Sequence, residues 1–175
     1  MKINILGGGI AGLASAIFLS KQGHEVTIVE RNDYINELGA GIQITPNALR
    51  VLDALGLRND LVNLAEQSTS LSIRRAENSA LLQKVSMHRL VKDKKVGFYH
   101  LHRHKLLNLL KDNAIKNKVK IISNQYINKI IITKDNVRIF SNDIEYDSDI
   151  LIGADGLNSI SRKKLNEDYM PKYSG

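Results

Sequence analysis

The chain of 175 residues has no cysteine and only two prolines, Pro46 and Pro171. The absence of thiols excludes a disulfide-stapled scaffold, a thiol nucleophile and a Cys-ligated metal, and it is neutral about compartment. So few prolines leave no obvious hinge, and no repeat, linker or low-complexity tract interrupts the chain. Long hydrophobic runs are also lacking. The longest charge-free stretch, Ile3 to Ser20, carries four glycines and is marginal for a bilayer, so no transmembrane segment is expected. The start, MKINILGGGIAGLASAIFLS, superficially resembles a secretory signal, with a basic residue, an apolar run and a small-residue ASA. Three consecutive glycines would break the helix such a signal needs, and a cytoplasmic location is the expectation.

What remains is the make-up of an ordinary globular domain. Hydrophobic residues are 43% and charged residues 25% of the chain, enough to bury a core at this length. The net charge of +7 comes from scattered lysines and arginines. The densest cluster, Lys92 to Lys95, is interrupted by Asp93 and has no interleaved aromatics to stack on bases. It reads as a solvated loop, and no nucleic-acid partner is expected. A general positive potential still favours anionic ligands such as nucleotide phosphates.

The N-terminal stretch has a better reading than a signal. Ile3 to Leu6 is a short apolar strand, and Gly7-Gly8-Gly9-Ile10-Ala11-Gly12 fits G-x-G-x-x-G. Ile10, Leu13, Ala14, Ile17 and Phe18 then recur at helical spacing, predicting an amphipathic helix with that stripe toward a sheet. Lys21 and Gly23 mark its end, and EVTIVE, Glu25 to Glu30, is a β-branched strand. Gly7 permits a sharp turn, Gly9 lets backbone approach a pyrophosphate, and Gly12 allows close helix–strand packing. The N–H groups and positive dipole end of the helix, opening at Ile10 and Ala11, face the phosphates. Glu30, 18 residues after Gly12, is placed to accept hydrogen bonds from ribose hydroxyls. Strand, fingerprint, helix, second strand and acid occur in order, but FAD and NAD both carry the adenosine ribose and pyrophosphate this unit recognises.

After Glu30 the chain departs from simple helix–strand repetition. Gly39-Ala40-Gly41 suits close backbone approach, Ile42 to Ile44 is a short strand, and Pro46 opens a helix with Leu49, Leu52 and Leu55 on one face. A second helical stretch is predicted over Leu57 to Glu66. Thr69 to Arg75, Leu81 to Ser86 and Val96 to His100 read as antiparallel strands apart from the parallel sheet. RHKLLNLLKDNAIKN is an amphipathic helix presenting Leu106, Leu109, Leu110 and Ala114. VKIISN, YINKIIIT, NVRIFSN and DIEY predict one returning parallel strand and a β-meander. DILIGAD, near-continuously apolar, predicts a central strand covered on both faces. His100, His102 and His104 alternate as an H-x-H-x-H array could for a metal. A helix beginning by Arg103 to Lys105 breaks the shared face, and strand-end and helix-start positions are the preferred reading.

Taken together, GGGIAGL with EVTIVER, GAGIQITPNALRVLDALGL, YHLHRHKLLNLL and DILIGADGLNSISR strongly resemble the FAD-dependent aromatic hydroxylases. These are single-component flavoprotein monooxygenases of the salicylate and p-hydroxybenzoate hydroxylase kind, and the resemblance runs from Met1 to about Tyr173. It implies an α/β fold: a Rossmann-like FAD-binding (GR2-type) parallel sheet, an antiparallel β-meander, and the start of a small β substrate region over residues 69–100. It implies FAD as cofactor, NADH or NADPH as co-substrate, and a small aromatic substrate hydroxylated with O2 through a flavin peroxide. By position, Gly7, Gly9 and Gly12 with Ile10 and Ala11 would cradle the pyrophosphate. Glu30 would bind the adenosine ribose, with Arg31 beside the adenine side. Gly41 would pass close to the flavin, Arg103 would reach FAD with its multi-donor head, and Ile127 would lend backbone contacts to adenine. Asp155 and Gly156 match a DG motif tied to FAD and NAD(P)H use, with Arg162 bracing the turn.

Plainer readings stand beside these: Arg103 as a helix-start surface residue, and Asp155 as an N-cap for the following helix. No catalytic side chain is nominated, because such a cofactor carries the chemistry itself. Members of this family are roughly twice as long and return with a second Gly-Asp motif absent from this chain. The expectation is therefore the N-terminal part of a longer hydroxylase, its other half removed or on another chain. The alternatives are another FAD oxidoreductase of the superfamily, such as a ubiquinone-biosynthesis hydroxylase, and a non-catalytic nucleotide-binding remnant.

Overall fold

The structure, a computed structural model, describes residues 1–33, 40–90, 97–142, 144–166 and 171–172. Gly39, Val96, the Lys92 to Lys95 cluster and the final three residues lie outside the described residues. The chain divides into two compact units, Met1–Glu37 with Leu110–Gly175, and Leu38–Leu109.

The first unit is built on a parallel sheet. Strand β1 (Lys2–Leu6) leads through the glycine turn into helix α1 (Ile10–Lys21), which returns to β2 (Glu25–Val29). Ile3 pairs in register with Val26 and Ile5 with Ile28, and all four are buried. Full burial of side chains of this size contributes about 1.5–3 kcal/mol each, which makes this pair of strands the anchor of the unit. Two further strands, β8 (Lys120–Ile122) and β12 (Ile150–Gly153), complete the order β12-β1-β2-β8. The predicted meander is present as β9 (Lys129–Ile132), β10 (Val137–Ser141) and β11 (Ile144–Ser148), paired antiparallel. Leu6 and Val29 join Ile127, Ile130 and Ile139 in one buried cluster, so meander and parallel sheet share a core.

Two expectations for this unit are corrected. DILIGAD is an edge strand: among the described residues β12 pairs with β1 alone, and Ile150 is 39% exposed. Its apolar run reflects packing of Leu151 beside the meander core, not a neighbour on each side. The buried arc of α1 is Gly12, Leu13, Ala16 and Ile17, while Phe18 is 52% exposed.

The second unit holds β3 (Gly41–Ile44), α2 (Pro46–Ala54), α3 (Arg58–Leu64), β4 (Glu66–Ser68) and β7 (Phe98–His102). Its three-stranded antiparallel sheet runs β3-β7-β4. Leu49, Leu52 and Leu55 are buried as the periodicity predicts. Helix α3 stops at Leu64, and Glu66, placed in a helix from sequence, starts β4 instead. A separate two-stranded ribbon pairs β5 (Ser70–Arg74) with β6 (Leu81–Ser86). Helix α4 (Arg103–Lys116) follows β7 directly and continues into the first unit, where Leu110 and Ala114 are buried. Leu106 is buried as expected and Leu107 is buried too, whereas Leu109, expected on the apolar face, is half-buried. The last helix is α5 (Ile160–Leu165).

Candidate functional site

The glycine turn at the end of β1 is held by backbone on both sides. Gly7 donates its N–H to the Val29 carbonyl at 2.9 Å, and Ala154, just past β12, donates to the Leu6 carbonyl at 2.8 Å. Gly7 has φ +99°, a left-handed conformation that glycine adopts without strain. A side chain there would also run into the Ala154 carbonyl. Gly12 is tighter still: a Cβ would overlap the Gly7 carbonyl oxygen, with the Ala154 methyl 3.5 Å away. The close approach predicted for Gly12 is therefore helix against turn and not helix against strand. Gly9 caps α1 without any side-chain hydrogen bond, and no atom of the described residues lies within 4 Å of where its Cβ would point. The first N–H groups of a helix have no intrahelical acceptor, so the start of α1 at Ile10 and Ala11 suits an anion.

Glu30 follows β2 and turns its carboxylate back onto this turn. One oxygen accepts from the Gly8 N–H at 2.6 Å and the other from the Asn32 N–H at 2.8 Å. Its own backbone is fixed by Ile122 and Gln125. A carboxylate held by two amides keeps lone pairs for further donors. Arg31 beside it is exposed. The Ile127 side chain is core, packed in the cluster with Leu6 and Val29.

The DG segment closes the same side of the sheet. Ser159 is the N-cap of α5, accepting from the Arg162 N–H at 2.9 Å. Asp155, read from sequence as a candidate cap, is not in the cap position but does cap: one carboxylate oxygen accepts from the N–H groups of Ile160 at 2.7 Å and Ser161 at 3.2 Å. Its other oxygen accepts from the hydroxyls of Ser159 at 2.7 Å and Ser161 at 2.6 Å. Arg162 braces the turn, donating to the carbonyls of Gly156 and Leu157, both at 2.8 Å. Gly156 has φ +79° and open space beside it. Asp155 and Ser161 sit at the polar end of a cavity of about 380 Å³ whose walls include Ile130, Val137 and Leu151.

Burial alone would raise the pKa of Asp155, but the Ser161 and Ser159 hydroxyls and the Ser161 amide outweigh it and hold the carboxyl below its ordinary value. With the folded pKa below the unfolded one, ionised Asp155 stabilises the fold above the ordinary value of about 3.9. That contribution fades as the pH falls through the folded value. Urea unfolding from about pH 5 to about pH 2.5 is expected to show stability declining with acid, and Asp155→Asn to show a shallower decline.

In the second unit, Gly41 and Arg103 meet although 62 residues separate them in number: Gly41 pairs with His102 across β3 and β7, and the Arg103 N–H donates to the Ala40 carbonyl at 3.0 Å. Arg103 is half-buried at the start of α4. His100 and His102 lie on β7 and His104 in the first turn of α4, with the His102 and His104 rings 5.4 Å apart. Among the described residues, no three His, Cys, Asp or Glu side chains group to hold a metal ion, and no helix is long and apolar enough to cross a membrane. Sequence reading missed the Gly8 amide as the anchor of Glu30, and Ser159 and Ser161 as partners of Asp155. The S-x-S spacing after the DG pair was the available signal for the latter.

A glycine turn of this kind, at the carboxyl end of a parallel strand and opening a helix, defines a dinucleotide-binding α/β domain. The FAD binding domain family matches residues 1–174, and the chain belongs to that family. It is 29% identical over 177 residues to 3-amino-4-hydroxybenzoate 2-monooxygenase of Streptomyces cremeus, covering 100% of this chain and 44% of that protein. With 3-hydroxybenzoate 6-hydroxylase of Klebsiella oxytoca it shares 32% over 178 residues, covering 100% of this chain and 45% of the relative. The chain thus spans less than half the length of these relatives. The fold matches p-nitrophenol 4-monooxygenase PnpA of Pseudomonas putida with a TM-score of 0.84, at 22% identity over 94% of this chain and 43% of that one. CtdE, solved in complex with FAD and a substrate, matches with a TM-score of 0.82 at 22% identity, over 94% of this chain and 40% of its own.

Proposed function

We propose that this chain is the FAD-binding portion of an NAD(P)H-dependent monooxygenase that hydroxylates a small aromatic compound. The observation that carries the reading is the turn in which Gly12 leaves room only for backbone beside Gly7 while Glu30 is tied to Gly8. Gly7, Gly9 and Gly12, with the amides of Ile10 and Ala11, would receive the pyrophosphate. Glu30 would take the adenosine ribose, with Arg31 and the Ile127 backbone on the adenine side. Carried over from the family resemblance, Gly41, Arg103, Asp155 and Gly156 would also contact the cofactor, and residues 69–100 would begin the substrate side. Bound there, FAD would supply acceptance of a hydride from NADH or NADPH and activation of O2 for transfer of one oxygen atom to an electron-rich ring. The relatives' hydroxybenzoate substrates support an aromatic acid as the compound class.

Glu30→Ala removes the acceptor for ribose hydroxyls and leaves the Gly8 and Asn32 amides without their carboxylate. It is expected to weaken FAD binding by about tenfold to a hundredfold, from the usual size of charge-assisted hydrogen bonds, and a fluorescence titration with FAD checks it. The activity itself is tested by NADH and NADPH oxidation by the whole protein with FAD and a panel of hydroxylated benzoates. Oxidation stimulated by an aromatic acid, with a hydroxylated product, is expected. A protein that binds FAD but oxidises neither nucleotide with any of them contradicts the monooxygenase reading and favours a nucleotide-binding module.

A further inference from the structure

Resting on the reading of this chain as an FAD-binding domain, we infer that Ser161 is a positioning residue for the cofactor loop. The Asp155 carboxylate then works inward on the protein and not on the ligand. An ionised carboxylate has room for about four donors. Asp155 has all four filled by α5 and its cap: the hydroxyls of Ser159 and Ser161 on one oxygen, the amides of Ile160 and Ser161 on the other. Ser161 alone supplies half of that set, a hydroxyl and an amide.

The position of Ser161 also explains Gly153. A Cβ on Gly153 would overlap the Ser161 hydroxyl, so the end of β12 is bare where Ser161 reaches across it. From Asp155 the linkage runs one residue back to Ala154, whose amide holds the Leu6 carbonyl and whose own carbonyl lies against Gly7. Any shift of Asp155 is thereby passed to the turn that would hold the pyrophosphate. Arg162, the next residue, fixes the carbonyls of Gly156 and Leu157. Consecutive side chains of α5 therefore clamp residues 155–157 from both ends, and the backbone of Asp155 and Gly156 is what remains to face a ligand. The charged groups that share the adjoining cavity with Asp155 are Arg162 and Lys164.

The test compares FAD affinity at neutral pH for the unaltered chain, Ser161→Ala and Ser161→Thr, alongside carbon-13 titration of the Asp155 carboxyl. Loss of the hydroxyl is expected to weaken FAD binding about tenfold, the usual worth of one hydrogen bond to a charged group. The Asp155 midpoint should rise in Ser161→Ala, and threonine, which keeps the hydroxyl, should restore both. A purely structural role for Ser161 would alter stability and the Asp155 midpoint while leaving FAD affinity unchanged. Should Ser161→Ala not fold, Ser161→Cys, a weaker donor of similar size, is measured in its place with the same expected loss. The inference is overturned if the unaltered chain binds FAD and the alanine or cysteine variant binds it equally well, or if threonine binds as weakly as alanine. An unaltered chain that takes up no FAD fails one step earlier, at the proposed cofactor site, and removes the inference with it.

Discussion

Gly12→Ala is expected to abolish measurable FAD binding and to lower the stability of the domain by about 1–3 kcal/mol, the usual range for forcing one extra carbon into a packed site. The added carbon has nowhere to go, because the atom it meets is the Gly7 carbonyl oxygen, part of the backbone of the turn itself. Relief requires either α1 to move off β1 and β2 or the turn to unfold. The first exposes Leu13 and Ile17, both fully buried, and the second dismantles the proposed phosphate site. Gly9→Ala is the matched control. Its Cβ meets no atom of the described residues, so the fold should tolerate it while a ligand at the start of α1 should not. Thermal unfolding and FAD titration of the two variants separate the effects: Gly12→Ala loses both stability and binding, Gly9→Ala binding alone.

Asp155→Ala is expected to cost about 2–3 kcal/mol, combining loss of a helix cap with abandoned donors. Two amides at the start of α5 lose their acceptor. The two serine hydroxyls, 2.9 Å apart, can turn to each other, which keeps the loss below the sum of four separate bonds. Asp155→Asn retains acceptor capacity on one oxygen and should lose less. Chemical denaturation at neutral pH measures both. Equal stability of Asp155→Ala and the unaltered chain would show that α5 is not held by this carboxylate.

The parts of this fold legible in the sequence are those set by local spacing. Gly7, Gly9, Gly12 and Glu30 are close enough along the chain for two strands, one turn and one helix to fix their places. Helix phase was harder. The stripe Ile10, Leu13, Ala14, Ile17, Phe18 and the observed arc Gly12, Leu13, Ala16, Ile17 differ by a small rotation, which apolar periodicity alone does not resolve. The requirement that Gly12 touch the Gly7 carbonyl resolves it, turning Gly12 and Ala16 inward and Phe18 out. DILIGAD misled for a related reason: a run of apolar residues reports burial of faces and says nothing about which edges are paired. The Asp155 network was legible only as a cap and an S-x-S spacing, because a serine two positions beyond a cap looks like any helix-surface serine until the carboxylate is placed beside it. Gly41 and Arg103 came together only through the pairing of β3 with β7, a long-range register that no local pattern encodes.

Whether the turn between β1 and α1 holds the adenosine diphosphate part of FAD is decided by titrating the chain with FAD and competing with ADP. A shifted, structured flavin absorbance that survives gel filtration, a Kd of about 10 μM or tighter, and displacement by ADP are expected. A flavin spectrum identical to that of free FAD at every concentration, with no flavin retained on the protein, would contradict it.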